Sequence, residues 1–270
     1  MKVKEFKTKY NDIYIYPIGD THIGDKGFTQ ESEDKLKGYI EFIKSTPNAF
    51  AILQGDLLNC ATRISKSSPF EQNMDLKDQI AKAVELLKPI KNKILGAIDG
   101  NHETRMCDFA GYSPTISICE RLGIDYMGDS IVYVIRMSCH SKKDNPRISF
   151  TLYSHHTTGG NGRSLGAKIN RVGVMREIVA NCDIYCGSHN HMLGAVPAVT
   201  QIVNPTEGKV DVVRQMLVDC GGYLEWDNTY AERMMLPPLK MGSPRIHLIV
   251  KRESNKNGQE EVHKDVHVSL

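Results

Sequence analysis

Apolar positions along this chain follow two rhythms. Ile13-Tyr14-Ile15-Tyr16-Pro17-Ile18, Ala49 to Leu53 and Ile94 to Ile98 are short apolar runs of the length of buried strands. They end at Gly19-Asp20, Gly55-Asp56 and Gly100-Asn101-His102. Between them the spacing changes to three and four. Leu36, Ile40 and Ile43 line one face of a helix predicted over 31–45, and Ile80, Val84 and Leu87 one face of a helix over 72–88, closed by Pro89.

The second half is richer in strands. Ile131 to Met137 and Arg147 to Tyr153 flank the polar stretch Ser141 to Pro146, which predicts a hairpin, and the second strand runs into Ser154-His155-His156. A glycine-rich stretch follows, then a helix at about 165–180. The strand Asp183 to Cys186 leads to His189-Asn190-His191, and Val210 to Val218 and Ile246 to Val250 are further strands. An exposed turn is expected near Asn204 to Lys209, and Asn257-Gly258 is placed to close a last hairpin. The order is βαβαβ, then mostly strands. It predicts an α/β fold, a four-layer α-β-β-α sandwich with two mixed β-sheets covered by helices. No linker divides the 270 residues, so one domain over 1–270 is expected, with the polar stretch 251–270 as an edge hairpin.

Composition narrows the class without naming a chemistry. Hydrophobic residues make up 40% and charged residues 24%, ordinary for a globular enzyme. A net charge of +2 gives no strong field toward nucleic acid or an acidic membrane. No apolar run has the ~20 residues that span a bilayer. The start, MKVKEFKTKYND, is basic with no apolar segment behind it, so no secretory signal is expected. Seven scattered cysteines without a CxxC pair predict reduced thiols in a cytoplasmic protein.

The polar residues that carry chemistry sit at strand ends: Asp20-Thr21-His22, Gly55-Asp56, Gly100-Asn101-His102-Glu103, His155 and His189-Asn190-His191. Chain leaving the carboxyl end of a strand presents side chains into a crevice, where open α/β sheets bind ligands. Alone, each element has a blander reading: an Asp-x-His by chance, a Gly-Asp turn, an exposed His pair. Together they form an ordered set of oxygen and nitrogen donors with no thiolate. That set suits Mn²⁺, Fe, Zn²⁺ or Ni²⁺ bound for hydrolysis, with Mn²⁺ favoured.

The ordered set resembles the calcineurin-like metallophosphoesterase superfamily over Asp20 to His191. The run His155-His156-Thr157-Thr158-Gly159-Gly160-Asn161-Gly162-Arg163 also resembles a subgroup common in phage and bacterial genomes. The resemblance implies two divalent ions. Asp20, His22, Asp56 and His191 would hold the first; Asp56, Asn101, His155 and His189 would hold the second, with Asp56 as the bridge. It implies attack of a metal-bridging hydroxide on a phosphate ester, with His102 protonating the leaving oxygen. Two positions depart from the family pattern. Ser188 precedes the first histidine of the last motif where a glycine is usual, and Asn59 stands where some relatives carry an aspartate paired with the catalytic histidine.

Several positions stay open. His155 and His156 compete for one ligand role; His155 comes first after the strand and shares a face with Tyr153, so it is favoured, and His156 is left either to touch substrate or to support a ligand from behind. Arg105 is a candidate phosphate clamp, or an exposed arginine. Arg163 and the glycines before it precede a helix and are candidates for anion binding, or a plain loop. Tyr223, Trp226 and Tyr230 either stack on a base or pack against the core, the second being favoured. A phosphodiesterase, with a nuclease among the options, is the leading function, and a phosphomonoesterase or protein phosphatase the alternative. The implied partner is a phosphate-ester substrate such as a nucleic acid or nucleotide, and no membrane.

Overall fold

The computed structural model describes residues 1–63, 65, 69–138, 147–158, 164–254 and 260–270, apart from the side chains of Arg147, Tyr230, Arg252, Ser254 and Glu260. In chain order the elements are β1 (Lys2–Lys7), β2 (Asp12–Ile18), α1 (Gln30–Ser45), β3 (Ala49–Leu53), α2 (Leu76–Leu87), β4 (Ile94–Ile98), α3 (Asn101–Ala110), α4 (Pro114–Leu122), β5 (Tyr126–Gly128), β6 (Ser130–Ser138), β7 (Arg147–His155), α5 (Leu165–Ile178), β8 (Ile184–Gly187), β9 (Leu193–Asn204), β10 (Lys209–Cys220), α6 (Tyr230–Arg233), β11 (Arg245–Ser254) and β12 (Glu260–Ser269). They form two six-stranded mixed sheets, ordered β1-β6-β7-β8-β10-β9 and β12-β11-β2-β3-β4-β5.

Alternation along the strands builds the layers. In β2, Ile13 and Ile15 enter a core between the two sheets, where Phe150, Leu152, Ile184, Cys186 and Val218 of the other sheet meet them. Tyr16 and Ile18 point the other way, toward Leu36, Ile40 and Ile43 of α1, Ile80 and Leu87 of α2, and Ile118 of α4. On the far side of the first sheet, Tyr153 and Tyr185 pack against Val172 and Met175 of α5. Helices therefore cover both sheets, giving the α-β-β-α sandwich that the pattern predicts. Each aliphatic side chain buried in these layers contributes about 1.5–3 kcal/mol.

The helix expected over 72–88 begins later, at Leu76, because Asp75 caps it through the backbone N–H of Asp78. The chain at Pro69–Glu71 and at Lys88–Lys93 takes the tighter 3₁₀ form. Strand β1, helices α3 and α4 and the 12-residue β9 are not foreseen by the hydrophobic pattern. The turn Ser141 to Pro146 and the tip at Asn257-Gly258 lie outside the described residues, while the strands around them pair antiparallel as expected. Among the described residues no helix is long and apolar enough to cross a membrane, and none of the described cysteines is paired in a disulfide.

Candidate metal centre

Strands β2, β3, β4 and β5 run parallel, as do β7, β8 and β10. Their carboxyl ends bring the polar motifs to one edge of the sandwich. Asp20 N–H donates to the Gly55 carbonyl at 3.0 Å, and His22 N–H to that of Asp56 at 3.0 Å, so the first two loops run side by side. The third loop sits on the second almost without clearance. A Cβ on Gly100 would lie 2.1 Å from the Asp56 nitrogen, and one on Gly55 2.3 Å from the Gly100 nitrogen. Glycine is required at both places for that reason.

Five candidate residues adopt positive φ: Asp20 at 48°, His22 at 46°, Asp56 at 47°, His189 at 77° and His191 at 53°. Non-glycine residues avoid this region, at a cost of about 1–3 kcal/mol each, and its use is concentrated at functional sites. A hydrogen-bond frame holds them there. Glu103, in the first turn of α3, accepts from the backbone N–H groups of Asp56 at 2.9 Å, Leu58 at 3.0 Å and Gly100 at 3.2 Å. Asp20 accepts from the His189 N–H at 2.8 Å, and Asp56 from the His102 N–H at 2.8 Å.

Three overlapping groups of donors result: Asp20, His22 and His191; His22, Asp56 and His102; and Asp56, His156 and His189, the atoms of each group lying within 4.8 Å of one another. His22 Nε2 stands 3.1 Å from His191 Nε2. Asp56 Oδ2 is 3.9 Å from His22 Nε2 and 3.3 Å from His156 Nε2, between the first group and the third.

The structure does not bring His155 to the Asp/His groups, where the sequence pattern places it. His156, not His155, faces Asp56 and Asn101, and its Nδ1 donates to the Gln54 carbonyl at 2.8 Å. The parity along β7 is as read, since His155 does share a face with Tyr153, but that face looks toward α5. His155 lines a small cavity there with Thr157, Arg171 and Met175. Leu152 faces the opposite sheet, and Ser154, bonded to Gln54 at 2.8 Å, and then His156 follow it to the site.

The substrate candidates fall differently. Arg105 donates to Ser65 Oγ at 3.0 Å and lies beside the Asn101 amide. His102 donates from Nδ1 to the backbone carbonyl of Asn59, whereas the Asn59 side-chain nitrogen is buried without a partner. It is thus the main chain of Asn59, not its amide, that holds the imidazole. Arg163 and Gly159 to Gly162 lie outside the described residues. Tyr223 is fully buried and bonds Ser243 at 2.8 Å, and Trp226 donates to the Leu236 carbonyl at 2.6 Å, so both pack rather than stack on a ligand. Ser188, the departure from the family pattern, donates to the Gln54 carbonyl at 2.8 Å and also lies 2.8 Å from His156 Nδ1.

Burial pushes the Asp20 carboxyl well above its usual range, and its Oδ1 is buried without a hydrogen-bond partner. Burial would also raise Asp56, but the His156 and His102 imidazoles beside it hold it well below the usual carboxylate range. Burial lowers His156, yet Asp56 more than offsets this and lifts it to about 10. Burial brings His189 down to about 4.

Asp20 Oδ1 gives the most direct test of fit for an ion: it is a buried acceptor without a hydrogen-bond partner, in a group with His22 and His191 whose donor atoms lie within 4.8 Å of one another. The Asn101 side chain lies beside the second group, its Oδ1 3.2 Å from His156 Nε2. The buried His and Asp groups could hold metal ions, one around Asp20, His22 and His191 and another around Asp56, His156 and His189.

No family model matches the chain, and none of the curated proteins matches it in sequence. Among solved structures it is similar to Vps29 of Chaetomium thermophilum, with 11% identity over 95% of this chain and 97% of that one and a TM-score of 0.35. It is also similar to that protein complexed with the RaPID-derived cyclic peptide RT-D3, with 10% identity, 95% and 96% coverage and a TM-score of 0.38.

Proposed function

We propose that this protein is a dinuclear-metal-dependent phosphoesterase acting on phosphodiesters, with nucleic acids and nucleotides as the substrate class. The observation that carries the reading is the convergence of three overlapping His/Asp groups, the donor atoms of each within 4.8 Å of one another, with Asp56 shared by two of them. Divalent ions at such a site supply Lewis acidity to a phosphoryl oxygen and lower the pKa of water. The chain's own residues do the rest. Asp56 lies between the two groups, where its negative charge lowers the repulsion between dications. His102 is fixed through Nδ1 by the Asn59 carbonyl, which leaves Nε2, 3.9 Å from Asp56 Oδ2, to carry a proton to the leaving oxygen. General acid catalysis of this kind is worth about 10²–10⁴ in rate.

The diester reading is supported by Arg105, whose guanidinium donates from Nη1 to Ser65 Oγ at 3.0 Å and so is partly taken up before a doubly charged monoester could use it. Bis-p-nitrophenyl phosphate and p-nitrophenyl phosphate, assayed side by side with Mn²⁺, test it. Faster diester hydrolysis is expected. Faster monoester hydrolysis would move the protein to the phosphomonoesterase class, and no hydrolysis of either by the metal-loaded protein would contradict the proposal.

A further inference from the structure

We propose that Lys168 and Asp219, acting through Asn190, position the His189–His191 turn so that its two imidazoles serve two different ions. The inference rests on the dinuclear reading above. Lys168 is on α5 and Asp219 near the end of β10, and both are buried, as is Asn190 between the histidines. The Lys168 ammonium donates to the Asn190 carbonyl at 2.6 Å. The Asn190 side chain donates to Asp219 Oδ2 at 3.0 Å and reaches the Lys168 carbonyl at 3.4 Å. A helix, a sheet strand and the turn after β8 are thus tied together at one residue that itself carries no imidazole.

The turn needs such a tie. His189 and His191 both adopt positive φ, so the local backbone is held away from where it would relax. It also serves two masters. His191 stands beside His22, and His189 belongs to the group of Asp56 and His156. A small rotation of the peptide between them would move one imidazole toward its ion and the other away. Each half of the turn is fixed by a charged group. The Asp20 carboxylate takes the His189 N–H at 2.8 Å, and the Lys168 ammonium takes the Asn190 carbonyl. Charge-assisted bonds of this kind are about twice as strong as neutral ones. A buried lysine is rare without such a purpose, because its ammonium must be removed from water. Asp219 keeps the Asn190 side chain aimed inward, where it closes the tie back onto the Lys168 main chain.

The test is Lys168→Met, which keeps the apolar stem and removes the ammonium, measured on the full chain. The melting temperature without metal reports the fold. Manganese binding by titration calorimetry and the paramagnetic resonance spectrum of the manganese-loaded protein report the turn. The expected result is a folded protein whose manganese affinity falls by about tenfold to a hundredfold, the range for groups that orient metal ligands, with an altered spectrum. Turnover should return toward wild type as manganese is raised, which a purely structural defect would not show. If Lys168→Met does not fold, Asn190→Ala decides, since it cuts the Asp219 arm and leaves the ammonium in place; weakened manganese binding is again expected. Unchanged affinity and spectrum in the folded variant would overturn the inference while leaving the dinuclear reading intact. A wild-type protein that takes up fewer than two ions would overturn both.

Discussion

His156→Ala and His155→Ala differ by one position and should differ completely in effect. His156 Nε2 lies 3.3 Å from Asp56 Oδ2 and 3.2 Å from the Asn101 oxygen, so its loss removes one of the four donors proposed for the second ion. Groups that only orient a metal ligand are worth 10–100-fold in affinity. A direct donor should be worth at least the upper end, about 100-fold or close to 3 kcal/mol for that ion. The fold should survive, because the Gln54 carbonyl that accepts from His156 also accepts from Ser188 Oγ at 2.8 Å and is not orphaned. Protons give a second readout. In the metal-free protein Asp56 lifts His156 to about 10 against the effect of burial, so at pH 7.5 it is protonated and must lose that proton to bind an ion. Calorimetric titration with Mn²⁺ in two buffers of different ionisation enthalpy counts it. Wild type should release about one more proton per chain than His156→Ala. The same raised pKa stabilises the metal-free fold fully below the unfolded value near 6.5, and that contribution should fade as pH rises through about 10. If His155→Ala lost the second ion while His156→Ala kept it, the assignment would be refuted.

Asp56→Ala should lose both ions and all hydrolysis, measured by metal analysis and turnover, because Asp56 stands between the two donor groups. His102→Ala should keep both ions while turnover falls about 10²–10⁴-fold, and a parallel loss of metal would make His102 a ligand instead. Glu103→Ala leaves three buried N–H groups without an acceptor and should cost roughly 3–6 kcal/mol, read as a fall in denaturant midpoint, with Glu103→Gln milder. Glu71 is held down to about 2 by its pairing with Arg233 and Lys26, so its contribution is present above its unfolded pKa and lost as pH falls through about 2. Glu71→Gln should therefore lower the melting temperature slightly at pH 7 and make no difference near pH 2.

The motif set was legible because strand ends are. Three short apolar runs, each closed by glycine and a polar residue, put Asp20, Asp56 and Asn101 at one edge before any packing is known. The choice between His155 and His156 was not legible. Period two relates His155 to Tyr153, but only packing tells which face of β7 meets the other sheet, and Leu152 supplies that answer. The frame behind the ligands was hidden for another reason. Glu103, Gln54, Ser188 and Lys168 are buried polar residues, and hydrophobic periodicity carries no sign of them. Glu103 was visible as the last residue of the Gly100-Asn101-His102-Glu103 run, but its role as acceptor for three backbone N–H groups was not. Strand β1, with four charged residues among Lys2–Lys7, exists because β6 pairs with it, a contact more than a hundred residues distant.

Manganese content and position, measured together on purified protein by metal analysis and anomalous diffraction, bear most directly on the centre. Two ions per chain are expected, one among Asp20, His22, Asp56 and His191 and the other among Asp56, Asn101, His156 and His189. A folded, manganese-saturated protein holding one ion or none among these side chains would contradict the account.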